Sequence, residues 1–317
     1  MSRRVLITGI TGFSGSHLAE HLVAVGDDVH GLAHEDPPYP NLAALASTVR
    51  IPRGDVTRVA DVRAVLRDAR PDVVVHLAGQ AVPALAARAP LDAVNVNVMG
   101  TAALLAALDE APARLIAASS AHVYGRAERS PVDEDAPTRP DGVYAATKLA
   151  AEALLRDHGE RAGEVTILRP ANQLGPRQHP GLAASAFARQ IAAAEAGQTE
   201  PVVRHGPLDA ERDFIDVRDM ARAYAAACDL TGSATYNVGS GRAVSIRTIL
   251  ETLVALARVP VRSELDPTRG TGDRTRLALD ATRFRQRNGW SPGIGLERSL
   301  RDTLDFWRAQ MRVGSPT

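Results

Sequence analysis

The chain holds a single cysteine, Cys228, among its 317 residues. One thiol excludes an internal disulfide and any multi-cysteine metal site, and suits a reducing compartment. Cys228 itself reads as a small buried apolar group on a helix. An excess of charge of one sign is also missing, since 37 basic residues stand against 37 acidic ones. That balance leaves no footprint for nucleic acid or for an anionic membrane surface. No apolar run approaches the roughly 20 residues that span a bilayer. The opening MSRRVLITG passes from two arginines straight into a strand pattern, without the apolar stretch of a signal peptide. The expected location is the cytoplasm. What remains is an ordinary globular composition, 45% hydrophobic and 23% charged, on a chain long enough for a sizeable core.

Short β-branched runs alternate with Ala/Leu-rich amphipathic stretches. Residues 5–9, 27–33, 48–56, 72–79, 114–120 and 165–170 read as strands, and 17–26, 59–69, 96–111 and 144–159 as helices. Strands apolar on both faces belong to a parallel sheet covered by helices on each side, so the expected fold class is α/β, doubly wound. After Pro170 strands become sparse. Helices are expected at 184–196, 217–229, 245–257 and 295–311, with a strand and turn at 234–241. The expected organisation is therefore a dinucleotide-binding half over 1–170, to which 215–240 returns, and a smaller substrate lobe over the remainder of 171–317.

Gly9-Ile-Thr11-Gly12-Phe13-Ser-Gly15 joins the first strand to the first helix. Gly9 allows the tight turn, Gly12 lets backbone approach a pyrophosphate, and Gly15 permits close helix–strand packing. The helix N-terminus offers unpaired N–H groups to the anion. The end of the second strand reads the adenosine ribose, where an acidic residue favours the unphosphorylated cofactor. Ala33 stands at that position, which tips the reading narrowly to NADP(H) over NAD(H). No arginine is adjacent in sequence, His34 could approach a phosphate, and a small register shift would bring in Glu35 or Asp36. Asp55-Val56 follows the third strand, where a carboxylate could meet the adenine or simply cap a turn. Leu77-Ala78-Gly79 ends the fourth, where small residues let backbone lie along a dinucleotide.

Tyr144 and Lys148 are four residues apart, hence on one helical face. An ammonium near a phenol is expected to lower the phenol pKa from its ordinary value of about 10. A phenol so tuned can exchange a proton with a sugar hydroxyl as hydride moves. Ser120, at the end of the fifth strand, could bond the same oxygen. These segments, with the glycine turn, point to a nicotinamide-dependent oxidoreductase.

Together the motifs resemble the extended short-chain dehydrogenase/reductase family over nearly the whole chain. The resemblance rests on Thr8-Gly9-Ile-Thr-Gly12-Phe13-Ser-Gly15, His76-Leu77-Ala78, Asn97-Val98-Met99-Gly100-Thr101, and the Ser120, Tyr144, Lys148 set. Residues 169–178, 188–197, 211–224 and 236–241 are similar to the sub-group acting on GDP-4-keto-6-deoxymannose, its reductases first and the GDP-mannose 4,6-dehydratases next. The resemblance implies a nucleotide-diphosphate sugar as substrate, Arg212 on the diphosphate, Asn172 on the sugar-phosphate side, and a homodimer. Gln80 could meet a sugar hydroxyl, and Arg177 shares a loop with Gln178. A C-terminal arginine that binds phosphate in the family is replaced here by a Thr-Gly run, leaving Arg269 or Arg274 to substitute.

The resemblance has one telling departure. Dehydratases of this family carry a carboxylate two positions after the active-site serine, where this chain has His122. Losing a positioned base costs roughly 10²–10⁴-fold, which disfavours a standard dehydratase. His122 could itself act as acid or base, or only bond a hydroxyl at the pocket rim. The leading expectation is a reductase of a nucleotide-linked 4-keto-6-deoxy sugar. The rivals are a C4 epimerase or atypical dehydratase with tightly held cofactor, and a non-enzymatic NAD(P)-sensing protein on the same fold.

Overall fold

A computed structural model describes residues 2–269 and 275–313. The first half alternates β1 (Arg4–Thr8), α1 (Phe13–Ala24), β2 (Asp28–Leu32), α2 (Val59–Ala69), β3 (Val73–His76), α3 (Pro83–Arg88), α4 (Pro90–Val94), α5 (Gly100–Leu108), β4 (Arg114–Ala118), α6 (Val143–Arg161) and β5 (Val165–Pro170). Then come β6 (Asn172–Leu174), α7 (Ala183–Glu195), β7 (Val202–His205), β8 (Glu211–Asp216), α8 (Val217–Ala227), β9 (Ala234–Val238), β10 (Ala243–Ser245), α9 (Ile246–Ala255), β11 (Arg262–Leu265), β12 (Arg276–Leu277), α10 (Thr282–Asn288) and α11 (Leu296–Val313).

The main sheet runs β2-β1-β3-β4-β5-β9, every pair parallel. β1 and β3 are buried along nearly their whole length, because helices cover both faces. One apolar cluster packs α1 and α8 on one face, and a second packs α2, α5 and α6 on the other. β9 joins the sheet beside β5, so the chain comes back to the sheet after leaving it. Here the strand order first runs outward to β2 and then restarts at β3, and the cleft opens at the carboxyl ends of that reversal.

Two expectations need correction. Residues 48–56 form no strand of their own but only the bridges His30↔Arg50 and Ala33↔Arg53. Pro52 lacks the N–H that a continuous ladder needs. The helix expected over 96–111 begins instead with a π turn over Asn95–Met99, preceded by α4. Together the stretch Pro90–Leu108 is 19 residues of helix with mean hydropathy 1.5, long and apolar enough to cross a membrane, contrary to the run-length reading. Half of that stretch is buried inside the protein, where it meets α2 and α6.

Beyond β5 the sparse-strand expectation also fails. A small sheet runs β10-β8-β12 with β6 on β8, and β11 pairs with β7. These strands span only two to six residues, too short to show an alternating pattern. A third apolar cluster, from α7, α9 and α11, holds this lobe together. Asp216 caps α8 through Arg218 N at 2.8 Å, and Ser245 caps α9 through Thr248 N at 3.0 Å.

Candidate active site

The glycine turn is tight for a stated reason at two positions. Gly9 has φ +71°, and a Cβ there would lie 2.8 Å from the Ala78 backbone. A Cβ on Gly15 would run into the Gly9 carbonyl and the Ile10 Cα. Gly12, the residue before α1, offers no side-chain cap, so the first-turn N–H groups of α1 face the cleft. That is the donor set a pyrophosphate needs, and the residues present therefore fit a dinucleotide.

The cleft, about 330 Å³, is lined by Gly9, Gly12, Phe13 and Gly15 on one side and by Ser120, His122, Tyr144 and Lys148 on its floor. Asn172, Gln173 and Gln178 close it from the smaller lobe. Ser14 Oγ donates to Gln173 Oε1 at 2.8 Å, tying the glycine turn to β6.

Tyr144 sits in the first turn of α6 and lines the cleft with Ser120, whose Oγ accepts from His122 N at 3.2 Å. Its ring meets the His122 imidazole edge-on, centroids 5.5 Å apart. Lys148, one turn along, donates to the Ala118 carbonyl at 2.8 Å. The expected lowering of the phenol by Lys148 is not what the protein does. Burial pushes the Tyr144 phenol above its ordinary value, with Ser120 acting in the opposite direction. The lysine is the group that moves down: burial lowers it to about 8, with Glu152 acting in the opposite direction. Lys148 is also the only lysine in the chain, whose other basic residues are all arginine. A guanidinium is too broad and too permanently charged to replace a compact ammonium here. That solitary lysine is a signal visible in the sequence.

Two groups to which the motifs give no role brace the floor. Asn97, in the π turn, accepts from Gln80 N at 2.8 Å and donates to Thr147 Oγ1 at 2.9 Å. It thus fixes the end of β3 to the turn of α6 between Tyr144 and Lys148. A π turn at such a position is a common functional feature; the only sequence signal is that Asn97 opens the N-V-x-G-T run. Glu152, fully buried, accepts from Ser119 Oγ at 2.5 Å and from both Arg169 nitrogens at 2.8 and 2.7 Å. Arg169 continues to the Tyr124 hydroxyl at 2.8 Å, and Tyr124 to Asn237 at 2.7 Å. Tyr144, Lys148 and Glu152 form one stripe along α6, and the network clamps it to β4, β5 and β9. Below the glycine turn His76 bonds Thr8 Oγ1 at 2.8 Å and is held near pKa 3, chiefly by burial and then by Lys148.

The other expected site residues divide between the cleft and its surroundings. Leu77 and Gly79 line the cleft, while Ala78 N bonds Thr8 Oγ1 at 3.3 Å. Thr11 gives its carbonyl to Asn41 Nδ2 at 2.9 Å. Asp55 caps a turn through Thr57 N at 2.8 Å, and Val56 is a core residue packed with Leu32 and Leu66. Gln80 does not line the cleft; its Oε1 accepts from Val82 N at 3.1 Å. Arg177 points away from the cleft altogether. At φ +72° its side chain turns back over α1, onto Glu20 at 2.6 Å and the His17 ring. Arg212 lines a side cavity of about 150 Å³ with His122, Arg126 and Asp141, its Nη1 on the Thr275 carbonyl at 2.7 Å. Arg269 pairs with Asp266 at 3.0 Å in a separate groove with Arg204, and Arg274 lies outside the described residues. His34 follows β2 beside Arg53, whose Nε donates to its carbonyl at 3.3 Å.

The fold and this cleft are those of a dinucleotide-dependent enzyme. Residues 5–239 match the model of the NAD dependent epimerase/dehydratase family, and the chain belongs to that family, within the extended short-chain dehydrogenases/reductases. It is 33% identical to the GDP-6-deoxy-D-mannose reductase of Pseudomonas aeruginosa, over 98% of this chain and 99% of the other. A solved structure of RMD from Pseudomonas aeruginosa complexed with NADPH superposes with TM-score 0.85 and 31% identity, covering 98% of this chain and all of that one (100%). The Thermus thermophilus UDP-glucose 4-epimerase complex with NAD superposes with TM-score 0.86 and 30% identity, covering 96% and 99%. The chain is an NAD(P)-dependent enzyme.

Proposed function

We propose that this enzyme reduces a nucleotide-linked 4-keto-6-deoxyhexose at C4, GDP-linked by preference, using NADP(H) rather than NAD(H). Residues 1–170, with 215–240, hold the dinucleotide, and the rest of 171–317 holds the nucleotide sugar. The observation that carries the reading is that Ser120, Tyr144 and Lys148 share the floor of a cleft walled by the glycine turn. Ala33 at the end of β2, the position where an acidic residue favours the unphosphorylated cofactor, supports NADP(H). The similarity to the Pseudomonas aeruginosa reductase supports the sugar class.

The bound cofactor supplies the hydride. Tyr144 gives the proton to the carbonyl oxygen as it becomes a hydroxyl. A phenol raised above its ordinary value stays fully protonated at neutral pH and is ready as a donor. Ser120 donates to the same oxygen and orients the carbonyl. Lys148, with pKa about 8, is mostly charged at neutral pH and sets a cation one helical turn from the phenolate left behind. His122 stands where an elimination base would be a carboxylate, which supports a reductase over a dehydratase. Arg212, in the side cavity that shares His122, is the proposed diphosphate contact.

The second reading, a C4 epimerase, draws on the likeness to the Thermus thermophilus epimerase. Purified protein given NADPH and GDP-4-keto-6-deoxymannose should lose NADPH absorbance in step with product. Turnover of a nucleotide hexose with no added cofactor would instead establish the epimerase. We also propose a homodimer through the outer face of α4 and the π turn. Leu91, Val94 and Met99 are 82%, 41% and 54% exposed there, and their three-to-five-residue spacing puts them on one helical stripe.

A further inference from the structure

The segment after β2 returns alongside it and is fixed there by main-chain bonds. Gly31 N donates to Arg50 O at 2.9 Å, Ala33 N to Pro52 O at 3.2 Å, and Gly54 N to Ala33 O at 2.8 Å. Arg53 is thereby set opposite Ala33, although twenty residues separate them in sequence. The same corner adjoins the phosphate turn, since Gly9 N donates to Leu32 O at 3.2 Å. Arg53 uses its Nε on the His34 carbonyl and one terminal nitrogen on Asp36, at 3.1 Å. Both partners of that ion pair are well exposed, at 63% and 69% of the side chain.

In a doubly wound fold the end of the second strand reads the adenosine ribose, by a carboxylate for a free 2′-hydroxyl or by a nearby arginine for a 2′-phosphate. We propose that Arg53, not a residue of β2 itself, selects the 2′-phosphorylated dinucleotide, and that Asp36 opposes it by holding the guanidinium when no phosphate is present. The proposal rests on the NADP(H) reading above. Its physics is a competition between two anions for one fork. A water-exposed Arg–Asp pair contributes little, whereas a dianionic phosphate accepts two parallel bonds from the same guanidinium. Ala33, itself buried, brings no charged group of its own to this corner. The backbone bonds that place Arg53 do not involve its side chain, so truncation leaves the corner intact.

The two charges predict opposite signs, which is what makes the idea testable by binding alone. Affinities for NADPH and NADH are measured by nicotinamide fluorescence on the full chain without sugar substrate, with melting temperature as the folding control. Arg53→Ala should weaken NADPH by about 10- to 100-fold and leave NADH within about twofold. Arg53→Lys should fall between, because a point charge cannot make the paired contact. Asp36→Asn should tighten NADPH by about threefold and leave NADH unchanged. Equal weakening of both cofactors by Arg53→Ala, no weakening of either, or a loss of NADH affinity in Asp36→Asn would each overturn the proposal. A wild-type preference for NADH would overturn the NADP(H) reading with it. Failure to reduce a keto sugar would touch only the substrate assignment, because no sugar enters the measurement.

Discussion

The ammonium of Lys148 donates to the Ala118 carbonyl at 2.8 Å, joining α6 to the end of β4 across the floor of the cleft. Because burial lowers the lysine to about 8 from 10.5, its charged form costs the folded state free energy. Between those two values the unfolded chain holds a proton that the folded chain has released, so stability rises with pH through that window. Below it the full penalty applies. Lys148→Met should therefore abolish turnover yet raise stability near pH 7 by about 1–3 kcal/mol, the lost hydrogen bond taking back part of the gain. The advantage should shrink as pH climbs toward the unfolded value, as followed by urea denaturation. A variant less stable than wild type at neutral pH contradicts an ammonium whose charge the fold penalises.

Two buried histidines set the acid limit. His17 is lowered to about 4 by burial and then by the Arg177 charge, and His76 to about 3 by burial and then by Lys148. Both lie below the ordinary 6.5, so as pH falls through that value the unfolded chain takes up protons the fold refuses, and stability drops. Near pH 5 the combined slope should be about 2–3 kcal/mol per pH unit. His17→Gln should remove roughly half of it. Denaturant midpoints measured from neutral to mildly acid pH check the slope, and a flat profile would contradict it.

The exposed stripe on α4 and the π turn makes a prediction about assembly. Leu91→Asp combined with Met99→Asp should turn a dimer into monomers in light scattering, with self-association weakened at least about 100-fold. Cofactor binding should survive, since neither residue lines the cleft. A wild-type chain that is already monomeric at micromolar concentration would contradict the proposed interface.

What is legible in the sequence is what is local. The glycine turn and the Tyr144/Lys148 pair are fixed by short spacings, and the helices carrying them start within a few residues of where the pattern puts them. The direction of Arg177 is hidden, because it depends on a left-handed φ and on Glu20, 157 residues away. Val56 and Gln80 look like cleft residues by position, but packing and a turn claim them. Arg53 cannot be seen beside Ala33, because strand neighbours are set by the sheet and not by the sequence. The raised Tyr144 phenol is equally hidden: spacing shows that a cation lies one turn away, but not that the phenol is buried.

The most direct test is Tyr144→Phe, which removes one oxygen from the floor and little else. NADPH affinity and keto-sugar reduction are measured on the same preparation. The predicted result is cofactor affinity within about twofold of wild type and turnover reduced by about 10²–10⁴-fold or more. Turnover that survives the loss of the phenol would show that the proton comes from another group, and would contradict Tyr144 as the donor.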